Sequence, residues 1–218
     1  MLDIWSHIIK FIESDKIKCR TAMTCKELSN REFYFHEKIH ISKIVKSRWF
    51  DYFTNVVVSE KSMLPLHIKR LSLGYFFKPS VINYIPSSIT HLDIGTKYLY
   101  FYDDIPVSVI HLSFNKFCGS HNRSLTLSSV THLTIYKLCC GLPREKIPIS
   151  VTHLTFNSVY PLPESNCVPS TVTNLIFTNV YLTNDIYYIK KKYRENNVKI
   201  SFPAYEKKQN KRLRMIGI

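Results

Sequence analysis

The chain has 218 residues and a formal net charge of +14, from 30 lysines and arginines against 16 acidic residues. We expect no secretory signal and no membrane span, because no apolar run is long enough for either. The six cysteines form no Cys-x-x-Cys pair and show no metal spacing, which excludes a disulfide scaffold and a zinc module and favours a reduced intracellular compartment.

The N-terminal segment has helical apolar spacing. Its first run is followed by a candidate N-cap at Ser14-Asp15, and a second run continues from Ile17 to Leu28. The first run consists of Leu2, Ile4, Trp5, Ile8, Ile9 and Ile12. These patterns predict a helical module over residues 1–45, which would at the least cap the following structure. Residues 46–63 are predicted to form a connector or a first coil.

A ten-residue phrase recurs six times between residues 64 and 182, and its clearest copy runs from Ile147 to Phe156. The central leucines are spaced by 21, 20, 21, 21 and 21 residues: Leu71, Leu92, Leu112, Leu133, Leu154 and Leu175. A fixed period of this length is typical of stacked repeats. The sequence therefore predicts a mainly β solenoid similar to leucine-rich repeats, with six coils of about 21 residues on a parallel sheet.

The apolar residues of five coils follow a 3-2-3 spacing, as in Val130-Leu133-Ile135-Leu138 and Ile68-Leu71-Leu73-Phe76. The coil that starts at Ile89 keeps three of the four positions and has Lys97 at the last. Alternation along a strand predicts that these side chains face inward. A proline precedes the strand in five of the six copies, where it fixes a turn without interrupting the sheet. The return segments predict irregular or 3₁₀ structure, with no full helices.

Polar residues occupy the outward positions of the same strands, on the predicted concave face. The first row is Arg70, His91, His111, His132, His153 and Asn174. The second row includes Asp93, Ser113, Thr134 and Thr155, between Ser72 and Ile176. Imidazoles on neighbouring strands about 4.8 Å apart should stack, and a flat row does not converge on a metal ion. Two interpretations remain: the rows support stacking, or they bind a partner.

After the last repeat, Thr183-Asn184-Asp185 predicts the start of an amphipathic helix, and Val198 to Phe202 predicts one more strand. Residues 183–205 are thus expected to cap the solenoid. Residues 206–218 form a basic run without apolar period, which predicts a mobile tail. This tail is a candidate nuclear-import signal, and a nucleic-acid arm is the less favoured alternative.

Enzyme signatures are absent from the sequence. It contains five glycines and no phosphate-binding loop, no paired carboxylates at a useful spacing, and no nucleophile motif beside a base. We therefore expect a non-catalytic protein without metal or cofactor.

The phrase Pro-x-Ser-Val-Thr-His-Leu-Thr-Phe resembles the FNIP repeat, a relative of leucine-rich repeats known from social amoebae and amoeba-infecting giant viruses. The resemblance extends from Leu64 to about Val180. It implies a repeat protein that binds other proteins, acting in the cytoplasm of a host cell.

FNIP repeats often follow an F-box, and residues 2–12 resemble the first F-box helix, while residues 22–28 resemble its Ser/Cys-Lys stretch. This resemblance implies that Ile4, Trp5, Ile8, Ile9 and Ile12 contact Skp1. The chain would then be a substrate-recruiting adaptor of a Skp1-cullin-F-box ubiquitin ligase, with the target on the concave face. The alternative is a plain solenoid whose N-terminal helices only cap the stack.

Overall fold

A computed structural model describes residues 12, 14–24, 34–77, 84–95, 105–115, 127–138, 147–157 and 162–215. Within these residues, nine short strands form one open parallel sheet in strict sequence order, a solenoid-like repeat fold. Of the α-helices in the described part of the chain, one precedes β1, one lies between β8 and β9, and one follows β9. The strands are β1 (Ile39–His40), β2 (Asn55–Val58), β3 (Arg70–Leu73), β4 (His91–Ile94), β5 (His111–Phe114), β6 (His132–Ile135), β7 (His153–Phe156), β8 (Asn174–Phe177) and β9 (Lys199–Ser201).

The central leucines form one buried column through the stack. Leu71, Leu92, Leu112, Leu133, Leu154 and Leu175 lie opposite one another in successive strands. Each is at most 1% exposed. Burial of one such side chain contributes about 1.5–3 kcal/mol, so the column is a large part of the core. The predicted inward position of these leucines and the parallel sheet are confirmed.

A turn with one hydrogen bond precedes each strand of the proline-containing coils. The carbonyl oxygen of the proline accepts the N–H of the residue three positions later, as between Pro106 and Val109 at 3.0 Å. The same bond occurs from Pro65, Pro86, Pro148 and Pro169, at 3.1–3.3 Å. Proline thus fixes the turn, and its missing N–H leaves no gap in the sheet.

The prediction that Phe76 belongs to the core is wrong. Phe76 was expected to face inward, yet it is 74% exposed, whereas Phe77 is 3% exposed. The N–H of Phe77 donates to the carbonyl of Gly74 at 3.0 Å, which closes a turn directly after β3. This turn moves the buried aromatic ring one position further along the chain. Leu138 and Val180, at the corresponding positions of later coils, are buried as predicted.

The sheet extends beyond residues 64–182 at both ends. Before them, β1 and β2 add two strands, and β2 shows the spacing 3-2 in Phe53, Val56 and Val58, all of them buried. This partial repeat pattern lies within residues 46–63, for which a connector or a first coil was predicted. The coils that contain β1 and β2 are shorter than 21 residues. After them, β9 pairs with β8, which confirms the predicted final strand.

Helix α1 (Asp15–Thr24) contacts the segment that precedes β1. The N–H of Glu37 donates to Asp15 Oδ2 at 2.6 Å, and the N–H of Asp15 donates to Glu37 Oε1 at 2.9 Å. The buried Lys18 ammonium donates to Asp15 Oδ1 at 3.3 Å and to the carbonyl of Tyr34 at 3.4 Å. The helix therefore starts at the predicted Ser14-Asp15 cap and is bound to the segment before β1.

Helix α2 (Thr183–Lys192) confirms the predicted C-terminal helix. Ile186 and Ile189 on it are buried, and Tyr193 directly after it is buried as well. The Tyr193 hydroxyl donates to the carbonyl of Pro163 at 2.7 Å, which ties the helix to the preceding coil.

Residues 206–215, within the predicted mobile tail, belong to helix α3 (Pro203–Met215). Pro203 occupies the first helical position, where proline is favoured because its missing N–H needs no partner. The N–H of Phe202 donates to Glu206 Oε1 at 3.2 Å and caps the first turn. Local capping and good helix-forming residues thus form a helix without an apolar period. Among the described residues, no helix has both the length and the apolar character needed to cross a bilayer.

Candidate binding surface

Two rows of polar side chains lie on the outward face of the sheet. Inward and outward residues alternate along β4 to β8, with every inward side chain buried and every outward one half-buried. We call the first row the histidine row: Arg70, His91, His111, His132, His153 and Asn174. The second is the hydroxyl row: Ser72, Asp93, Ser113, Thr134, Thr155 and Ile176.

The four imidazoles of the histidine row stack in a continuous ladder. Ring centroids are 4.1 Å apart between His91 and His111 and 4.2 Å apart in the next two pairs. The planes meet at 8°, 34° and 12°. Parallel rings direct their nitrogen lone pairs side by side and not towards one point. In the part of the chain that the structure describes, no group of three or more His, Cys, Asp or Glu side chains could hold a metal ion.

Three of these rings are each oriented by the threonine that precedes them in the chain. This role of the threonines was not predicted from the sequence. The Nδ1 atoms of His91, His132 and His153 lie 2.9 Å from the hydroxyls of the residues before them. The Thr90 and Thr152 hydroxyls also donate to the carbonyl of the preceding coil, at 3.3 Å. A hydroxyl that donates there can accept from Nδ1–H, which leaves Nε2 as an acceptor.

Asn174 completes this pattern at the C-terminal end of the row. Its side-chain amide lies 2.9 Å from Nε2 of His153 and donates to Thr173 Oγ1 at 3.0 Å. The bond to Nε2 agrees with an Nδ1–H tautomer at His153. The recurring dipeptide Thr-His in three coils is the sequence signal that could have revealed these bonds. In the coil of His111 the preceding residue is Ile110, which is exposed.

The pKa values of His91, His111 and His132 are lowered, so these three imidazoles resist protonation. Burial, followed by the charges of His111, Arg70 and His132, lowers the pKa of His91 from 6.5 to about 4. Burial also lowers the pKa of His111, with Arg70 and His153 as further causes. For His132 burial is again the first cause of a lowered pKa, followed by His111 and His153. These three imidazoles are therefore neutral hydrogen-bonding groups at neutral pH.

We expect the protein to lose stability on mild acidification. The unfolded chain protonates these imidazoles near pH 6.5, whereas the folded chain does so at lower pH, so folding is favoured above pH 6.5 and loses stability from there towards pH 4. The rings are partly exposed, so solvent screens the effect. A loss of about 1 kcal/mol would lower Tm by roughly 2–4 °C. Thermal melts at pH 7.5 and pH 5 measure this difference.

A variant with asparagine at His91, His111, His132 and His153 serves as the control, because Asn174 already occupies the row. Its melting temperature should depend less on pH over the same interval. An equal pH dependence in the variant would assign the effect to groups outside the ladder.

The hydroxyl row contains an ion pair from a distant segment. Lys38 Nζ lies 3.3 Å from Asp93 Oδ2, although 55 residues separate them in the chain. Ser113, Thr134 and Thr155 are half-buried beside it, and Ile176 ends the polar stretch. No local sequence signal points to Lys38, because the contact depends on the placement of β1 at the end of the sheet.

The predicted Skp1-contacting residues lie mostly outside the described residues, namely Ile4, Trp5, Ile8 and Ile9. Ile12 is described: it is half-buried and packs against the hydrophobic core. The structure therefore does not test the predicted contact with Skp1.

Comparison with known proteins gives one family. The model of the FNIP Repeat matches residues 60–97 and 142–179. The first match contains β3 and β4, and the second contains β7 and β8. No curated protein and no solved structure matches the chain. The repeated phrase, the strand register and the two matches agree that these two stretches of the chain are similar to FNIP repeats.

Proposed function

We propose that this protein is a non-enzymatic binding protein that holds a protein partner on the outward face of its sheet. FNIP repeats are repeat-type protein-interaction modules, and the inward residues of these coils are used entirely for the core. The observation that carries the proposal is the regular pair of rows of half-buried, mostly polar side chains on the outward face of β4 to β7.

The chemistry of the face favours a partner that offers hydrogen-bond donors. The imidazole Nε2 atom of His91 is an acceptor in the tautomer described above. The adjacent hydroxyls of Ser113, Thr134 and Thr155 can donate or accept. Such a surface suits the backbone amides and polar side chains of a protein loop or strand.

A narrower proposal is that the protein recruits this partner to a Skp1-cullin ubiquitin ligase. Its support is the resemblance of residues 2–12 and 22–28 to an F-box. The adaptor would then act in the cytoplasm of the host cell, or in its nucleus if the basic C-terminal run serves as an import signal. The alternative is that the N-terminal segment only caps the sheet and does not bind Skp1. The hydrogen bonds between α1 and Glu37 favour this alternative.

Two sets of variants in the full-length protein separate these readings. We expect Trp5→Ala with Ile9→Ala to lose binding of purified Skp1 while the outward face keeps its partner. We expect Thr134→Arg to lose the partner and keep Skp1, because the added side chain occupies the middle of the face. Ser128→Arg, in an exposed turn of the same coil, is the matched control.

Pull-down of Skp1, together with quantitative affinity capture from host cells, measures both properties. Absence of Skp1 binding by the wild type would leave a plain binding protein with a cap. A set of captured proteins unchanged by Thr134→Arg would contradict the assignment of the outward face. If all binding falls steeply as the salt concentration rises, and is also lost when residues 206–218 are deleted, the basic C-terminal run would instead be a nucleic-acid-binding arm.

A further inference from the structure

The two ends of the sheet differ in how their outer edges are closed. At the N-terminal end, the N–H of Glu37 donates to Asp15 of α1. At the C-terminal end, β9 is the last strand among the described residues, and it bonds to β8 on one side only. A free strand edge offers backbone donors and acceptors to another extended chain.

The backbone of Ile200 is the open part of this edge. The backbone N–H of Lys199 donates to the carbonyl of Thr173, so the backbone polar groups of Lys199 point towards β8. In a parallel strand alternate residues bond to the same neighbour, and the N–H and carbonyl of Ile200 consequently point away from β8. The next outward N–H, that of Phe202, is already donated to Glu206. The free edge is therefore short and centred on Ile200.

A basic groove of about 470 Å³ runs beside this edge. Lys199 and Ile200 of β9 line it on one side, and residues at the end of α2 line it on the other. Lys190 and Arg194 on that wall are exposed, as is Lys199. Among the described residues, no acidic side chain forms a salt bridge with these three cations.

We propose that the groove binds an acidic, extended peptide segment of a partner protein, which pairs with β9 as a tenth strand. The backbone of the peptide would bond to the N–H and carbonyl of Ile200, which is the mode called strand addition. Its carboxylates would lie against Lys190, Arg194 and Lys199. A second copy of this chain is disfavoured as the occupant, because two such edges would bring like charges together in a protein of net charge +14.

The groove lies at the end of the stack and shares no residue with the two polar rows, although Lys199 pairs with Asn174 at the end of the histidine row. A partner bound there could be the same protein that contacts the rows or a different one. The test below uses only the groove and a synthetic probe, so its failure would leave the proposed function untouched.

A fluorescein-labelled peptide of sequence Glu-Val-Glu-Val-Glu tests the proposal by fluorescence anisotropy with the full-length protein. We expect saturable binding that weakens with salt. The double variant Arg194→Glu with Lys199→Glu should reduce affinity at least about tenfold, since it replaces two attractive charges by repulsive ones. The matched control, Lys16→Glu with Lys137→Glu, reverses two exposed charges far from the groove and should change affinity less than about twofold.

Two further measurements separate strand addition from charge attraction alone. Ile200→Pro removes the free N–H at an edge position where proline is tolerated, and it should weaken the peptide, whereas Ile200→Val should not. A peptide N-methylated at both valines should bind weakly to the wild type, a comparison that requires no change in the protein. Hydrogen exchange at Ile200 should slow when the unmodified peptide is bound.

No binding at millimolar peptide would overturn the proposal. Equal binding of the N-methylated peptide would overturn the strand pairing. An oligothymidine that binds through Arg194 and Lys199 in place of the peptide would replace it with a nucleic-acid site.

Discussion

Leu133→Asp is expected to unfold the protein at room temperature. Leu133 is 1% exposed and lies between Leu112 and Leu154 in the buried column. The change removes a buried aliphatic side chain, which alone costs about 2–5 kcal/mol, and it adds a carboxylate without a partner. The sum is comparable with the whole stability of a typical domain. Circular dichroism and size-exclusion chromatography measure the loss of structure.

Thr134→Asp is the matched control for this prediction. It introduces the same side chain one residue later, on the outward face, where Asp93 already occupies the same row. We expect its effect to stay within about 1 kcal/mol, because surface substitutions usually change stability by about 0.5 kcal/mol or less and Thr134 is half-buried. A folded Leu133→Asp protein, or an equal loss in both variants, would contradict the assignment of inward and outward faces.

Gly95→Ala is expected to destabilise the protein by about 1–3 kcal/mol through steric overlap. A Cβ atom at Gly95 would lie 2.5 Å from the carbonyl oxygen of Leu73. The same oxygen accepts the N–H of Gly95 at 2.8 Å, so the backbone cannot move away without weakening that bond. Urea denaturation measures the change in the free energy of unfolding.

Two controls test whether the close approach is the cause. Gly74→Ala should destabilise less, because its nearest contact, the carbonyl oxygen of Val58, is 3.1 Å away. Asn115 occupies the corresponding position of the next coil and already has a Cβ, so Asn115→Ala should be nearly neutral. Equal effects at all three positions would assign the loss to a general property of the turn.

The repeat core was predictable because its signal is periodic. Leu71 to Leu175 recur at a nearly constant spacing, and parallel pairing keeps equal residues opposite one another. The error at Phe76 has a local cause, since a turn after Gly74 shifts the aromatic residue by one position. Periodicity indicates which residues are equivalent, but a single turn can change which of two neighbours enters the core.

The ends of the sheet were less predictable, because they lack the full repeat. Strand β1 has two residues, and β2 follows it in a shorter coil. Helix α3 has no apolar period, so only its capping by Pro203 and Glu206 would have indicated it. At both ends, specific hydrogen bonds determine the structure, and these have weak sequence signatures.

The polar rows were predictable, but their partners were not. Alternation places His91 and Asp93 outward in any parallel strand of this register. The bond from Lys38 to Asp93 depends on how the chain before β2 folds back, which no short motif encodes. The threonine hydroxyls that orient the imidazoles were visible in the sequence as Thr-His pairs, yet their role follows only from the geometry of adjacent coils.

The most direct test of the outward face as the binding surface is site-specific photo-crosslinking in host cells. A photoreactive phenylalanine analogue at Thr134 lies in the middle of the face, and one at Ser128 lies in an exposed turn of the same coil. The account predicts that Thr134 crosslinks to a defined protein, that Ser128 does not, and that Ser113→Arg abolishes the crosslink. Crosslinking of the same protein from Ser128 but not from Thr134 would contradict it.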